Sequence, residues 1–233
     1  MNILAISDVH AKENFGLYNY LEKHNIDILI VSGDITNFGP LDFVDEFFDK
    51  LAKFNITTIA IPGNCDPDGV VEKINNADAI SCHDDVVEYG NVVIYGFGGS
   101  NPTPFDTPGE MDEKTLYNSI KSVMESKDID LVKKAEDNFP YGKIPILLTH
   151  APPKDTETDE IEDGAHVGSE SVRKIIEEYQ PRLNLCGHIH ETRAFDMIGD
   201  TVIANPGMLE NGYGSLIEID DNNNIIANFV ELE

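Results

Sequence analysis

Five short, largely apolar runs recur along the chain, and each breaks off abruptly into small and polar residues. Asn2 to Ile6 gives way to Ser7-Asp8-Val9-His10, and Asp27 to Val31 to Ser32-Gly33-Asp34. Thr57 to Ile61 runs into Pro62-Gly63-Asn64-Cys65-Asp66, and Ile144 to Leu148 into Thr149-His150. Leu183 to Leu185 ends in Cys186-Gly187-His188-Ile189-His190. The runs are rich in β-branched residues and apolar on both faces, the signature of strands buried on two sides. Helical periodicity separates several of them. Leu41, Val44, Phe48, Leu51 and Phe54 share one helical face behind Pro40, which suits a first turn. Val172, Ile175, Ile176 and Tyr179 share another, with Ser169 as its N-cap. Strands alternating with helices imply an α/β fold with a largely parallel sheet.

The C-terminal part reads differently. Thr201 to Ala204, Ser215 to Ile219 and Ile225 to Leu232 are consecutive strands joined by turns at Pro206-Gly207 and Asp221 to Asn224. They predict a second, more antiparallel sheet packed on the first. Residues 101–141 are polar and helical, with Leu116, Ile120, Val123 and Met124 on one face. We read them as an insertion over one edge of a single domain spanning 1–233, since 233 residues fit one large α/β domain.

Charge narrows the function. With 43 acidic against 16 basic residues the formal net charge is -27, so the surface repels polyanions and anionic membranes. A nucleic-acid partner is disfavoured on that ground. Three cysteines, Cys65, Cys82 and Cys186, form no disulfide framework and suit a reducing cytoplasm. The N-terminus lacks the basic segment and long apolar run of a signal peptide, and no stretch approaches the roughly 18 apolar residues of a membrane span.

In open α/β sheets ligands bind beyond the carboxyl ends of the strands. The five strand ends here present Asp8, His10, Asp34, Asn64, His150, His188 and His190. All are donors for borderline divalent metals such as Mn, Fe, Co, Ni or Zn. Seven such groups make two sites if one carboxylate bridges, and paired ions suit hydrolysis of phosphate esters. A single Asp-x-His or Gly-Asp is an ordinary turn. Four of the seven histidines falling at strand ends, in step with two aspartates and an asparagine, are not.

These segments, in this order, resemble the five motifs of the calcineurin-like metallophosphoesterase family, and Asn205-Pro206-Gly207 resembles a further turn found there. The resemblance runs from residue 8 to about 207. It implies a four-layer α/β/β/α sandwich of two mixed sheets flanked by helices, and a centre of two divalent transition-metal ions. By position, Asp8, His10 and His190 would hold one ion, Asn64, His150 and His188 the other, and Asp34 would bridge them. The activity implied is hydrolysis of a phosphate-ester small molecule, with Asp34 and Asn64 in the catalytic centre.

One position departs from the commonest pattern. Where many members carry His after the motif asparagine, this chain has Cys65, and a thiol with pKa of about 8.5 imitates imidazolium poorly. That substitution resembles a bacterial and archaeal branch that includes phosphodiesterases. It also puts in doubt the carboxylate role of Asp66, which would pair with the missing His. His166, in a loop before a helix, is the candidate replacement, with the helix N-terminus beside it to help hold phosphate; an ordinary loop histidine is the competing reading. His83 reads as part of a turn, and His24 as the end of a helix. The alternative for the whole chain is a non-catalytic protein-binding scaffold on the same fold with a vestigial metal site.

Overall fold

The computed structural model describes residues 1–126 and 143–233. Two six-stranded sheets stack face to face between two layers of helices. The first sheet takes β1 (Asn2–Ile6), β2 (Ile28–Val31), β3 (Thr57–Ala60) and β4 (Ile80–Ser81) in parallel, in the order β12-β11-β1-β2-β3-β4. Its edge is completed by β11 (Tyr213–Ile219) and β12 (Ile225–Glu231), with β11 antiparallel to both β1 and β12. The second sheet contains β5 (Asp85–Tyr89), β6 (Val92–Phe97), β7 (Ile144–Thr149), β8 (Leu183–Leu185), β9 (Ala194–Ile198) and β10 (Thr201–Asn205), in the order β5-β6-β7-β8-β10-β9. There β6, β7, β8 and β10 run parallel and the two edge strands antiparallel.

The double-sided apolarity of the runs follows from this stacking. Along β1, Ile3 and Ala5 join a core between the sheets, while Leu4 and Ile6 join a core beneath the helices. That outer core is covered by α1 (Phe15–Lys23), α2 (Asp42–Leu51) and α3 (Val70–Asn76), which contribute Leu17, Val44, Phe48, Leu51 and Ile74. On the far side, α4 (Glu113–Ser126) and α5 (Glu170–Tyr179) cover the second sheet with Leu116, Ile120, Val123, Met124, Val172, Ile175 and Ile176. Burial of such side chains, at about 1.5–3 kcal/mol each, favours three cores, with central strands such as β1 shared between two of them.

Two sequence expectations need correction. The C-terminal strands do not form a sheet of their own. β10 enters the second sheet beside β8, whereas β11 and β12 return to the first, because β1 has a free edge that β11 can pair along its length. Pro40 precedes α2, whose N-cap is Leu41, instead of lying in its first turn. Within 101–141, α4 contributes to the third core and packs on α5 and β6; residues 127–142 lie outside the described residues. Among the described residues no helix is long and apolar enough to cross a membrane.

Candidate metal centre

The carboxyl ends of β1, β2, β3, β7 and β8 open toward one another, and their loops are sewn together by backbone hydrogen bonds. Asp8 N donates to Gly33 O at 3.1 Å, His10 N to Asp34 O at 2.9 Å, and Gly187 N to His150 O at 2.9 Å. The turns are tight. Asp8, His10, Asp34 and His188 all have positive φ, at 56°, 49°, 50° and 73°. Asp and His tolerate that region better than bulkier residues, and non-glycine residues held there gather at functional sites. Gly33, with φ of 100°, has no room for a Cβ, which would lie 2.6 Å from His150 Nδ1.

All seven donors predicted from the sequence converge here, in two groups. In the first, one ligand atom each from Asp8, His10, Asp34 and His190 lies within 4.8 Å of every other. His10 Nε2 and His190 Nε2 face each other at 2.9 Å, and Asp8 Oδ1 is 3.3 Å from His190 Nε2. In the second, His150 Nε2 stands 2.9 Å from Asn64 Oδ1, and its ring centroid lies 5.0 Å from that of His188. Asp34 divides itself between them: Oδ2 is 3.8 Å from His10 Nε2, and Oδ1 is 3.4 Å from His150 Nε2.

The donors fit divalent ions. Asp8 Oδ1 is buried without a hydrogen-bond partner among the described residues, as is His10 Nδ1. A buried carboxylate oxygen without a donor is costly unless a cation answers it. Electrostatics makes the same demand. Burial opposes a charge on His150, yet Asp34 and Asp8 beside it carry its pKa up to about 9. Burial would raise the Asp34 carboxyl, but His150 and His10 hold it well below the usual carboxylate range. His188 goes the other way: burial and the charge on His150 pull it down to about 4, so it offers a neutral lone pair.

A supporting layer of residues was not visible in the sequence. Asn64 donates through Nδ2 to Thr107 Oγ1 at 2.8 Å, and Thr107 donates both Oγ1 and N to Glu110 Oε1, at 2.7 and 2.9 Å. This chain fixes the amide so that its oxygen faces His150, as partners behind metal ligands do. His150 Nδ1 is held by Ser32 O at 2.7 Å. Asp66, deprived of the His it would pair with, is instead a buried clamp. It accepts from Ile35 N, Thr36 N, Thr36 Oγ1 and Gly63 N, tying the Asp34 loop to the Asn64 loop. Cys65 is half-buried, and burial together with the Asp34 charge pushes its thiol up, so it stays protonated at neutral pH. Its backbone N–H donates to Asp34 Oδ1 at 2.8 Å.

The remaining histidines separate. His83 Nδ1 accepts from Gly98 N at 2.9 Å and is a loop brace, as its turn suggested. His24 Nδ1 contacts Tyr20 O at the end of α1. His166 lies in the loop before α5, with Nδ1 2.7 Å from the fully buried Asp159. The N-terminus of α5 does not serve as a phosphate site. Glu113 occupies it, accepting from Ser169 Oγ, Glu170 N and Ser171 N at 2.8, 3.0 and 2.9 Å.

Residues 1–192 match the family model for calcineurin-like phosphoesterases. The chain belongs to that family. It is 36% identical over 212 residues to an uncharacterized protein of Methanocaldococcus jannaschii, covering 88% of each chain. A crystal structure from Thermus thermophilus has the same fold, with a TM-score of 0.75 at 17% identity over 100% of this chain and 99% of that one. A further crystal structure matches at a TM-score of 0.80 and 19% identity, over 100% and 99%.

Proposed function

We propose that the chain is an enzyme that hydrolyses phosphate esters with two divalent metal ions. The observation that carries this reading is the divided carboxylate of Asp34, one oxygen toward each donor group. Asp8, His10 and His190 would hold one ion, Asn64, His150 and His188 the other, and Asp34 both. When bound, such a pair acidifies a water molecule and neutralises phosphoryl oxygens. The chain supplies the rest. Asp34 and Asp8 balance the positive charge of the site, Asn64 contributes a neutral ligand oriented by Thr107, and His188 stays unprotonated. The tight turns hold this set before substrate arrives, so little reorganisation accompanies the reaction.

The substrate we infer is a phosphodiester of small or nucleotide type. The neutral Cys65 puts no cation where a monoester dianion would gain from one. Phe38 and Phe105 are exposed, at 59% and 79%, on loops fastened to the Asn64-Cys65 turn. Phe38 N donates to Cys65 O, and the Phe105 loop holds Asn64 through Thr107. Phe38 has a positive φ of 61°, which a bulky residue adopts only under constraint. Exposed rings on loops tied to the site suit stacking of a base or aryl group. The net charge of -27 disfavours a long polyanion.

The test is hydrolysis of an aryl phosphodiester and the matching monoester by metal-stripped protein resupplied with Mn²⁺, with Asp34→Ala as control. Activity that returns with metal, favours the diester and vanishes in Asp34→Ala supports the reading. Metal binding without cleavage of either ester above the Asp34→Ala rate would replace it with the scaffold reading.

A further inference from the structure

The metal donors leave one chemical need unmet. An ester with a poor leaving group requires a proton on the departing oxygen, and the turn after Asn64 carries Cys65 where an imidazole could have supplied it. His166 and Asp159 form a pair suited to that task. Asp159 is fully buried, and its carboxylate acts as an acceptor throughout. Oδ1 accepts from Thr156 N at 2.9 Å and lies 2.7 Å from His166 Nδ1. Oδ2 accepts from Gly168 N at 2.8 Å and Asp155 N at 3.2 Å. A carboxylate so held fixes the imidazole as the Nδ1–H tautomer and favours its charged form, leaving Nε2 as the nitrogen turned away. The ring itself is about a third exposed.

The loop carrying this pair is fastened to two of the turns that bear the proposed donors and to the loop that stands behind a third. Ser169 N donates to Pro152 O at 2.9 Å, two residues past His150. Thr192 Oγ1, two residues past His190, donates to Glu160 O, and Glu160 bridges His166 in antiparallel register. Asn101 Nδ2 donates to Val167 O at 3.2 Å from the loop that, through Thr107, orients Asn64. Asn205 Nδ2 joins Thr158 O to Gly187 O and Ile189 O, each at 3.3 Å.

Resting on the phosphoesterase reading, the geometry points to His166 as the proton donor to the leaving group, with Asp159 as its positioning residue. Hydroxide derived from water adds to phosphorus while the bond to the leaving oxygen breaks. That oxygen keeps the bonding pair and takes the proton from His166 Nε2. The neutral imidazole then recovers a proton from solvent, matching the one the water released. The substrates served are esters of alcohols, including nucleoside hydroxyls, whose alkoxides leave poorly. The charged groups acting on the ring are Asp159, Asp155 and Glu160, all of which favour its protonated form.

The test compares kcat on a diester with a nitrophenolate leaving group and on one with an alkoxide leaving group, in the metal-loaded full chain. Proton donation contributes about 10²–10⁴-fold, so His166→Gln should lower kcat on the alkoxide ester at least 100-fold more than on the nitrophenyl ester. A second readout is independent of turnover: ¹³C-histidine NMR titration of the Zn²⁺-loaded chain, with the His166 signal assigned by its loss in His166→Gln. His166 should titrate above about 6.5 and fall back toward it in Asp159→Asn. Equal losses on both esters, or a His166 titration that Asp159→Asn does not move, overturn the proton-donor role while leaving the metal reading intact. Failure of the wild-type chain to cleave either ester overturns both.

Discussion

Asp66→Asn perturbs the site without touching a metal donor. The wild-type carboxylate receives four hydrogen bonds, two on each oxygen: Thr36 N and Thr36 Oγ1 at 2.7 and 2.9 Å, Ile35 N and Gly63 N at 3.1 and 2.8 Å. An asparagine keeps one accepting oxygen and turns an NH₂ toward the other two donors. Each buried donor left unsatisfied costs about 1–3 kcal/mol, so the pair sums to roughly 2–6 kcal/mol. A partial offset comes from charge. Burial, then the neighbouring Asp34, raise the Asp66 pKa, so its ionised form carries a penalty that the amide lacks. About 3 kcal/mol of net destabilisation results, which for a chain of this size lowers Tm by roughly 6–12 °C. The clamp joins the Asp34 loop to the Asn64 loop, so Mn²⁺ affinity should also weaken about 10–100-fold, as for other groups standing behind metal ligands. Differential scanning calorimetry and metal titration read the two effects. A Tm within about 2 °C of wild type with unchanged Mn²⁺ affinity would refute the role assigned to Asp66.

Other perturbations reach the same centre. In Gly63→Ala the new Cβ would sit 2.0 Å from Asp34 Oδ1 and 2.3 Å from Asp34 N; displacement of Asp34 should cost about 1–3 kcal/mol and abolish binding of one metal equivalent, measured by elemental analysis after gel filtration. Thr107→Val frees the Asn64 amide to rotate and should cut metal affinity about 10-fold with little change in Tm, which isothermal titration would detect. For Glu110, partial burial opposes charge, but hydrogen bonds from Thr103 and Thr107 lower its pKa to about 2. A depressed folded pKa means this anchoring is complete above the ordinary value near 4.5 and is lost as pH falls through about 2; Glu110→Gln should flatten the acid limb of a stability-versus-pH curve. Chelation of bound metal should lower Tm, since Asp8 and Asp34 are then left buried together, and readdition of Mn²⁺ should restore it.

The seven side chains proposed as metal donors could be picked out in the sequence because each stands in the turn after a buried strand, where backbone geometry leaves no choice of face. Asp8, Asp34, Asn64, His150 and His188 follow their strands within a few residues, so strand recognition alone located them. The groups behind them were not legible. Thr107 and Glu110 lie in an irregular loop about forty residues after Asn64, and nothing periodic announces a contact made by a hydroxyl. Glu113 at the start of α5 shows the limit from the other side. A helix N-terminus invites an anion by its own physics, and here the chain fills it from α4. Sheet membership was equally hidden, because an apolar strand such as β11 suits either sheet and only the free edge of β1 decides.

The most direct measurement is diffraction at the metal absorption edge from crystals of the Mn²⁺-loaded chain. Two anomalous peaks, about 3.5–4 Å apart, with Asp34 lying between them and one peak lost in Asp34→Ala, are the predicted result. A single peak, or two peaks that do not share Asp34, would contradict the dinuclear centre on which the proposed function rests.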